Sequence, residues 1–187
     1  MRTVFERQDT IPLIAEVFRE LGYEGASFSR MTERTGLSKG SLYHFFPEGK
    51  EQMAAEVLAH IDAWFEANVF ASLGRDNSRE AIARMWRAVL DYFHSGHRVC
   101  LVGVFAMDET RDTFSDAIRT YFQRWIKALK QALVRAGVNR ARAQDLAEEC
   151  VAGIQGGLVI SRATGDTGAF VRTVRRLAAR VDDELVR

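Results

Sequence analysis

Apolar residues recur at helical spacing through almost the whole chain. Ile11, Ile14, Ala15, Phe18 and Leu21 share one face of a predicted helix over residues 9–21, with Asp9 or Thr10 as N-cap, Pro12 in the first turn and Gly22 as the stop. Ser27 caps a short second helix through Arg34, on which Met31 points inward, and Gly36 supplies a left-handed C-terminal residue. Ser38 caps a third helix, on which Leu42 and Phe46 stand four apart, while Leu37 fills the angle between the two. Two short helices joined by T-G-L-S have the outline of a helix-turn-helix. Beyond the P-E-G turn, Met53, Val57, Ile61 and Trp64 or Phe65 define a helix over about residues 50–70, which the run L-G-R-D-N-S at 73–78 breaks. Ile82, Met85, Trp86, Val89, Leu90 and Phe93 make a wide stripe that opens at Ser78 and ends near Ser95 and Gly96. A short apolar segment over 99–107 follows, then a long helix over about 111–136 carrying Phe114, Ile118, Tyr121, Phe122, Trp125, Leu129 and Leu133, stopped by Gly137.

Two helices close the chain, about 140–163 and 167–186, split by T-G-D-T-G. The first holds Ala152, Gly153, Gly156 and Gly157 in its interior. Each such glycine costs about 1 kcal/mol against alanine, and close helix approach is the usual compensation. The last helix carries Phe170, Val174, Leu177, Val181 and Leu185 at near-heptad spacing. A close-approach face beside a heptad-like seam suits a self-associating four-helix bundle, and suits an intrachain pair equally well. The pattern as a whole predicts an all-α chain of about nine helices: a helix-turn-helix domain over 1–49 and a larger helical domain over 50–187.

Composition agrees with that picture. The 187 residues are 47% hydrophobic, enough for a real core, and include only two prolines, Pro12 and Pro47. Two cysteines, Cys100 and Cys150, are too few for a disulfide framework, and no charged start with a following apolar run marks a signal peptide. The cytoplasm is the default address. The longest apolar run, V-C-L-V-G-V-F-A-M, is about half of the ~20 residues a membrane span needs. Net charge is +1, so any affinity for nucleic acid has to come from a local patch.

The third predicted helix supplies that chemistry. Such a helix enters the major groove while neighbouring caps and side chains hold phosphates. Lys39 sits at its N-terminal end, where backbone N–H groups also favour an anion. Gly40 and Ser41 are small enough for close approach to base edges, Tyr43 carries a hydroxyl that reaches a phosphate, and His44 can donate to a base or a phosphate. An ordinary helical hairpin with a solvated polar face is the competing reading of the same pattern.

The stretch from Ile14 to Met53, with Ala15 and Phe18, then Gly22 and Tyr23, then S-F-S-R-M-T-E-R-T-G-L-S-K-G-S-L-Y-H-F-F, resembles the TetR/AcrR family of transcriptional regulators. The resemblance covers about the first quarter of the chain. It implies an all-helical homodimer whose N-terminal domains bind double-stranded operator DNA and whose larger C-terminal domain binds a small-molecule inducer. Ser27, Arg30, Lys39, Ser41, Tyr43, His44 and Lys50 match positions that commonly contact DNA in that family, and Leu42 and Phe46 match buried ones. Two features depart from the common pattern. Phe45 stands where many members have a histidine, and three residues, Pro47, Glu48 and Gly49, separate Phe46 from Lys50 where two are usual. The F-P-x-G-K form resembles one branch of the family.

Trp64, Phe65, Trp86, Phe93, Phe105, Phe122 and Trp125 come from four predicted helices, and the resemblance implies a ligand cavity walled by such helices. The expected ligand is mainly apolar or aromatic, with Gln155, Gln123 or Arg124 as polar anchors. Core packing explains any single one of these rings as well. Asp91, His94, His97 and Cys100 recur every three residues, but Ser95 and Gly96 interrupt the helix that would align them, so no metal site and no cofactor is expected. Cys100 as a redox-sensing thiol rests on no further residue. G-I-Q-G-G at 153–157 lacks the lysine of a phosphate loop and reads as packing. No catalytic constellation emerges, and a non-enzymatic repressor is expected, released from a near-palindromic operator by its inducer and dimeric through the last two helices. The rival class is a helical small-molecule binding protein that no longer recognises DNA.

Overall fold

The computed structural model describes residues 6–74 and 78–186, and no strand occurs among them. The helices are α1 (Arg7–Gly25), α2 (Phe28–Thr35), α3 (Lys39–Phe45), α4 (Lys50–Phe65), α5 (Ala71–Leu73), α6 (Ser78–Tyr92), α7 (Leu101–Ala106), α8 (Ser115–Arg135), α9 (Arg140–Thr164) and α10 (Thr167–Val186). A π-turn, Glu66–Phe70, joins α4 to α5 without leaving helical backbone, so the described residues form nine separate helices. The chain is all-α, as its periodicity predicts. The part of the predicted break at residues 75–77 lies outside the described residues.

Several ends differ from the pattern, each for a physical reason. The first helix opens at Arg7, two residues early, because the Asp9 carboxylate accepts the Glu6 N–H at 3.3 Å and so caps from inside the helix. Pro12 therefore sits in the second turn. Gly22, at φ 68° and ψ 179°, breaks the helical geometry where the stop is predicted, and a last turn follows it to Gly25. In α4 the wider π-turn brings Phe70 back toward Phe65, with ring centroids 6.0 Å apart, where an unbroken α-helix would turn Phe70 away. Helix α6 ends at Tyr92, earlier than its stripe suggests, and a 3₁₀ turn follows over His94–Gly96. His94, Ser95 and Gly96 all have positive φ. A Cβ on Gly96 would lie 2.8 Å from Phe170 Cβ and 3.0 Å from the Thr167 carbonyl, so close contact with the start of α10 dictates this break.

The chain divides into two compact units, one holding the residues up to Asp62 together with Leu101–Ile118, the other Ala63–Cys100 and the residues from Arg119 onward. In the first unit, Ile14, Phe18, Met31, Leu42, Phe46, Met53 and Val57 are buried between α1, α2, α3 and α4. Helix α3 has only seven residues, too few to persist alone, and the burial of Leu42 and Phe46 holds it. A ring cluster extends this core: Phe105 of α7 meets Phe18 edge-on at 5.6 Å and stacks on Phe114 at 5.8 Å, with Tyr23 against all three.

In the second unit Phe65 is the hub, with Tyr92, Tyr121 and Trp125 at 4.8, 5.0 and 5.1 Å. Helices α9 and α10 pack along their length. Phe170, Val174, Leu177, Val181 and Leu185 are all buried within one protomer, which uses the heptad-like seam internally. The glycine cluster splits accordingly. A Cβ on Gly153 would meet Leu177 Cδ1 at 2.8 Å and one on Gly157 would meet Phe170 Cδ2 at 3.3 Å, whereas Gly156 faces open space.

Candidate DNA-binding interface and ligand-binding core

The turn between α2 and α3 is built by small polar residues. The Ser27 hydroxyl accepts the Arg30 N–H at 3.4 Å, and the Ser38 hydroxyl accepts the Ser41 N–H at 3.0 Å, so each serine caps its helix as its position predicts. Gly36 takes φ 72°, and its N–H donates to the Thr32 carbonyl at 3.0 Å. Thr35, buried, donates its hydroxyl to the Met31 carbonyl at 2.6 Å and accepts the Leu37 N–H at 3.2 Å, which fixes the angle that Leu37 fills.

The residues predicted to touch DNA fall into two groups. Arg30, Lys39, Gly40, Tyr43 and His44 are exposed on α2 and α3. Tyr43 is 44% exposed and lies flat on Phe28, with centroids 4.7 Å apart and planes 9° from parallel, and the Lys39 ammonium stands 5.9 Å from the Tyr43 ring. The stack fixes the Tyr43 ring while leaving the side chain 44% exposed. Sequence reasoning missed Phe28, although an aromatic at the first position of α2 was a visible signal. Ser27, Ser41 and Lys50 are engaged by the fold. Ser41 shares its hydroxyl with Ser38 at 2.8 Å. Lys50 donates to the Tyr23 carbonyl at 3.1 Å, lies 4.1 Å over the Tyr23 ring and pairs with Glu24 at 3.7 Å. Burial first, then the Glu51 and Glu24 carboxylates, hold the Tyr23 hydroxyl above its ordinary range, so the ring under Lys50 stays neutral.

Of the eight residues predicted to hold a ligand, Trp64, Phe93, Phe122 and Trp125 gather with Phe65 in one ring cluster, and Trp86 and Gln155 lie in the same second unit. Phe65, Phe93 and Trp125 are fully buried, Trp86 nearly so, and Trp64 and Phe122 are half-buried, with Trp64 4.5 Å from Tyr92 and Phe122 5.1 Å from Tyr121. Gln155 lies on α9 in the same unit. Phe105 does not join them, because it packs on Phe18, Tyr23 and Phe114 in the first unit. Trp86 Nε1, Trp125 Nε1 and Gln155 Nε2 are buried donors without a hydrogen-bond partner in the fold. Of the other suggested anchors, Arg124 pairs with Glu66 and covers the Phe70 ring at 5.0 Å, and exposed Gln123 lines a groove of about 540 Å³ with Lys127, Lys130 and Glu148.

The series Asp91, His94, His97 and Cys100 is split by the left-handed turn, and no group of three His, Cys, Asp or Glu side chains among the described residues is placed to hold a metal ion. Cys150 is buried on α9, and desolvation pushes its thiol up to about 12. None of the helices among the described residues is long and apolar enough to cross a membrane.

Comparison with known proteins matches both parts of the chain. Residues 13–57 match the N-terminal model of the tetR family of bacterial regulatory proteins, and residues 78–176 match the C-terminal domain of LmrA/YxaF-like transcriptional regulators. YxaF of Bacillus subtilis, an uncharacterised HTH-type transcriptional regulator, is 24% identical over 165 residues, with 86% of each chain covered. The crystal structure of a TetR transcriptional regulator from Legionella pneumophila shares the fold, with a TM-score of 0.81 over 96% of this chain and 98% of that one at 22% identity. A cysteine mutant of the TetR family regulator CifR, complexed with 26-bp double-strand operator DNA, superposes with a TM-score of 0.67 at 26% identity, covering 99% of this chain and 98% of that one. With its helix-turn-helix assembled at one end and the second family model spanning more than half its length, the chain belongs to the TetR family of transcriptional regulators, in the group with an LmrA/YxaF-like C-terminal domain.

Proposed function

We propose that the protein is a repressor that binds a near-palindromic operator as a homodimer and leaves it when a small, mainly apolar or aromatic molecule enters the second unit. The exposed polar surface of α3, with Lys39, Tyr43 and His44 turned outward and Leu42 buried beneath, carries the DNA-binding half of this reading. Domain assignments follow: 1–49 reads DNA, and 50–187 binds ligand and partner. Ser27, Ser41 and Lys50 act there through the backbone caps and the α1 end that they hold. Two α3 helices in a dimer would meet successive major grooves about 34–36 Å apart.

The uncovered outer face of α9 supports self-association. Ala152, Gly156, Val159, Ile160 and Ala163 are exposed there, Val159 and Ile160 at 66% and 53%, and small residues permit close helix approach. The three buried donors support the ligand half of the reading. A hydrogen-bond donor buried without a partner costs free energy that an acceptor on a ligand would recover. Trp86, Trp125 and Gln155 are thus the polar anchors, and the inducer is an aromatic or apolar molecule that carries acceptor oxygens. Phe65, which precedes the π-turn of α4, is the ring whose repacking would move α4, and the coupling is typically ~1–3 kcal/mol.

Selection from a random duplex pool, repeated at rising salt and with candidate ligands, tests the whole reading. The expected product is a palindrome whose binding weakens steeply with salt. Failure to enrich any sequence would leave the ligand-binding reading alone.

A further inference from the structure

The exit of α3 is tied down by one side chain that belongs to neither of the two elements it joins. Arg7, the first residue of α1, donates from Nε to the Phe45 carbonyl at 3.0 Å, forms an ion pair through Nη2 with Glu56 of α4, and sets its guanidinium 5.6 Å from the Phe46 ring. The Phe45 carbonyl is one of the helix-end acceptors that no backbone N–H of α3 can reach. Glu56 Oε1 also accepts from Gln52 Nε2 at 3.0 Å, and Gln52 Oε1 accepts the Glu48 N–H at 3.0 Å. The relay therefore runs from the last residue of α3 through Arg7, Glu56 and Gln52 back to the turn Pro47–Glu48–Gly49. It encloses the insertion at which this chain departs from the common length. Gly49 takes φ 81° within it.

We propose that Arg7, with Glu56 and Gln52, is a positioning clamp that sets the angle at which α3 is presented to the operator, and that it makes no phosphate contact of its own. The inference rests on operator recognition by α3. An arginine fork suits this task because one planar group serves two acceptors in fixed geometry, and a lysine ammonium does not. Stability needs the clamp little, since Arg7 is about half exposed and the core beneath α3 is complete without it. Presentation needs it, because Leu42 is the one fully buried side chain within α3 and its C-terminal end is anchored in the core through Phe46.

The test uses the full-length protein and the duplex that the wild type selects, with R7A, R7K, E56Q and the double variant R7A/E56Q. Operator affinity is measured from low to high salt, and thermal unfolding in parallel. The clamp predicts about a tenfold loss for R7A with an unchanged salt slope, a smaller loss for R7K, and a double variant within about twofold of the weaker single variant. Unchanged affinity in R7A overturns the proposal. So does a salt slope shallower by about 0.9, which marks a lost phosphate contact, or losses that simply multiply. If R7A unfolds, R7K decides: full affinity there overturns the clamp. A wild-type chain that selects no duplex removes the DNA-binding reading itself, an outcome distinct from an unaffected R7A.

Discussion

The exposed faces of α3 and α9 could hardly differ more. The outer face of α3 carries Lys39, Tyr43 and His44 around Gly40, groups with charge and hydrogen-bonding capacity that are stable in water and suited to a wet, anionic surface. The outer face of α9 carries Ala152, Gly156, Val159, Ile160 and Ala163, groups that gain nothing from water and suit a dry contact with something equally apolar. Both helices use the opposite face for packing: α3 through Leu42, α9 through Cys150, Ile154, Gly157 and Leu158. Exposure alone therefore does not identify a binding face. The chemistry of what is exposed is what assigns the two faces, in the proposed reading, to nucleic acid and to a second protein chain.

The largest effect that would break this contrast belongs to α9. Replacing Ile160 by arginine places an unpaired charge on the dry face, and we expect self-association to weaken at least a hundredfold by sedimentation equilibrium, with operator binding falling alongside as bivalency is lost. A wild-type chain that sediments as a monomer at micromolar concentration would break the comparison outright. On α3, Lys39→Ala is expected to cost about tenfold in operator affinity and to make the salt slope shallower by about 0.9. Tyr43→Phe keeps the stack on Phe28, removes only the hydroxyl and should cost less, about threefold to tenfold. Unfolding temperatures should barely move in either variant, and a large fall would make those side chains part of the core.

Cys150 reports on the inner face of α9. Its thiol is raised from 9.0 to about 12 by burial, so the folded state favours the protonated form, and the unfolded chain ionises first as pH rises. Its contribution to stability is complete below pH 9 and lost between about 9 and 12, a decline of about 1 kcal/mol by pH 10 that Cys150→Ala should abolish in urea titrations. At pH 8 the thiol should resist labelling until the protein unfolds. The smallest test compares adjacent glycines. Gly156→Ala meets nothing and should stabilise the protomer by up to about 1 kcal/mol through helix propensity. Gly157→Ala would press on Phe170 and Thr173 at 3.3 Å, and should forfeit that gain or lose about 1 kcal/mol. Equal stabilities would mean that both faces of α9 are equally covered.

Much of this protein was legible before its structure. Ser27, Ser38 and Gly36 act through hydrogen bonds and dihedrals that span four residues or fewer, so caps and turns could be read locally. Leu42, Phe46 and Met31 follow from periodicity, as does the helical nature of the whole chain. The exposed residues of α3 were legible for the same reason, because the exposed face is what remains once the buried positions are assigned. The ring cluster of the second unit was legible only in composition. Which rings share a cluster depends on contacts between residues far apart in sequence, and Phe105 packs with Phe18 and Tyr23 instead of with Phe65.

The sequence by itself determined the helices, the helix-turn-helix and the chemistry of its exposed side chains, since each depends on short-range periodicity and capping. The tertiary structure alone decided how those pieces were committed. It buried the heptad-like seam of α10 inside one protomer and left α9 to face outward. It split the glycine cluster between a packed side and an open one, and broke α6 where Gly96 had to approach α10. It also brought Arg7 to the end of α3, across 38 residues of chain. These are choices among surfaces that are equivalent in pattern, and only the competition for neighbours in the folded core distinguishes them.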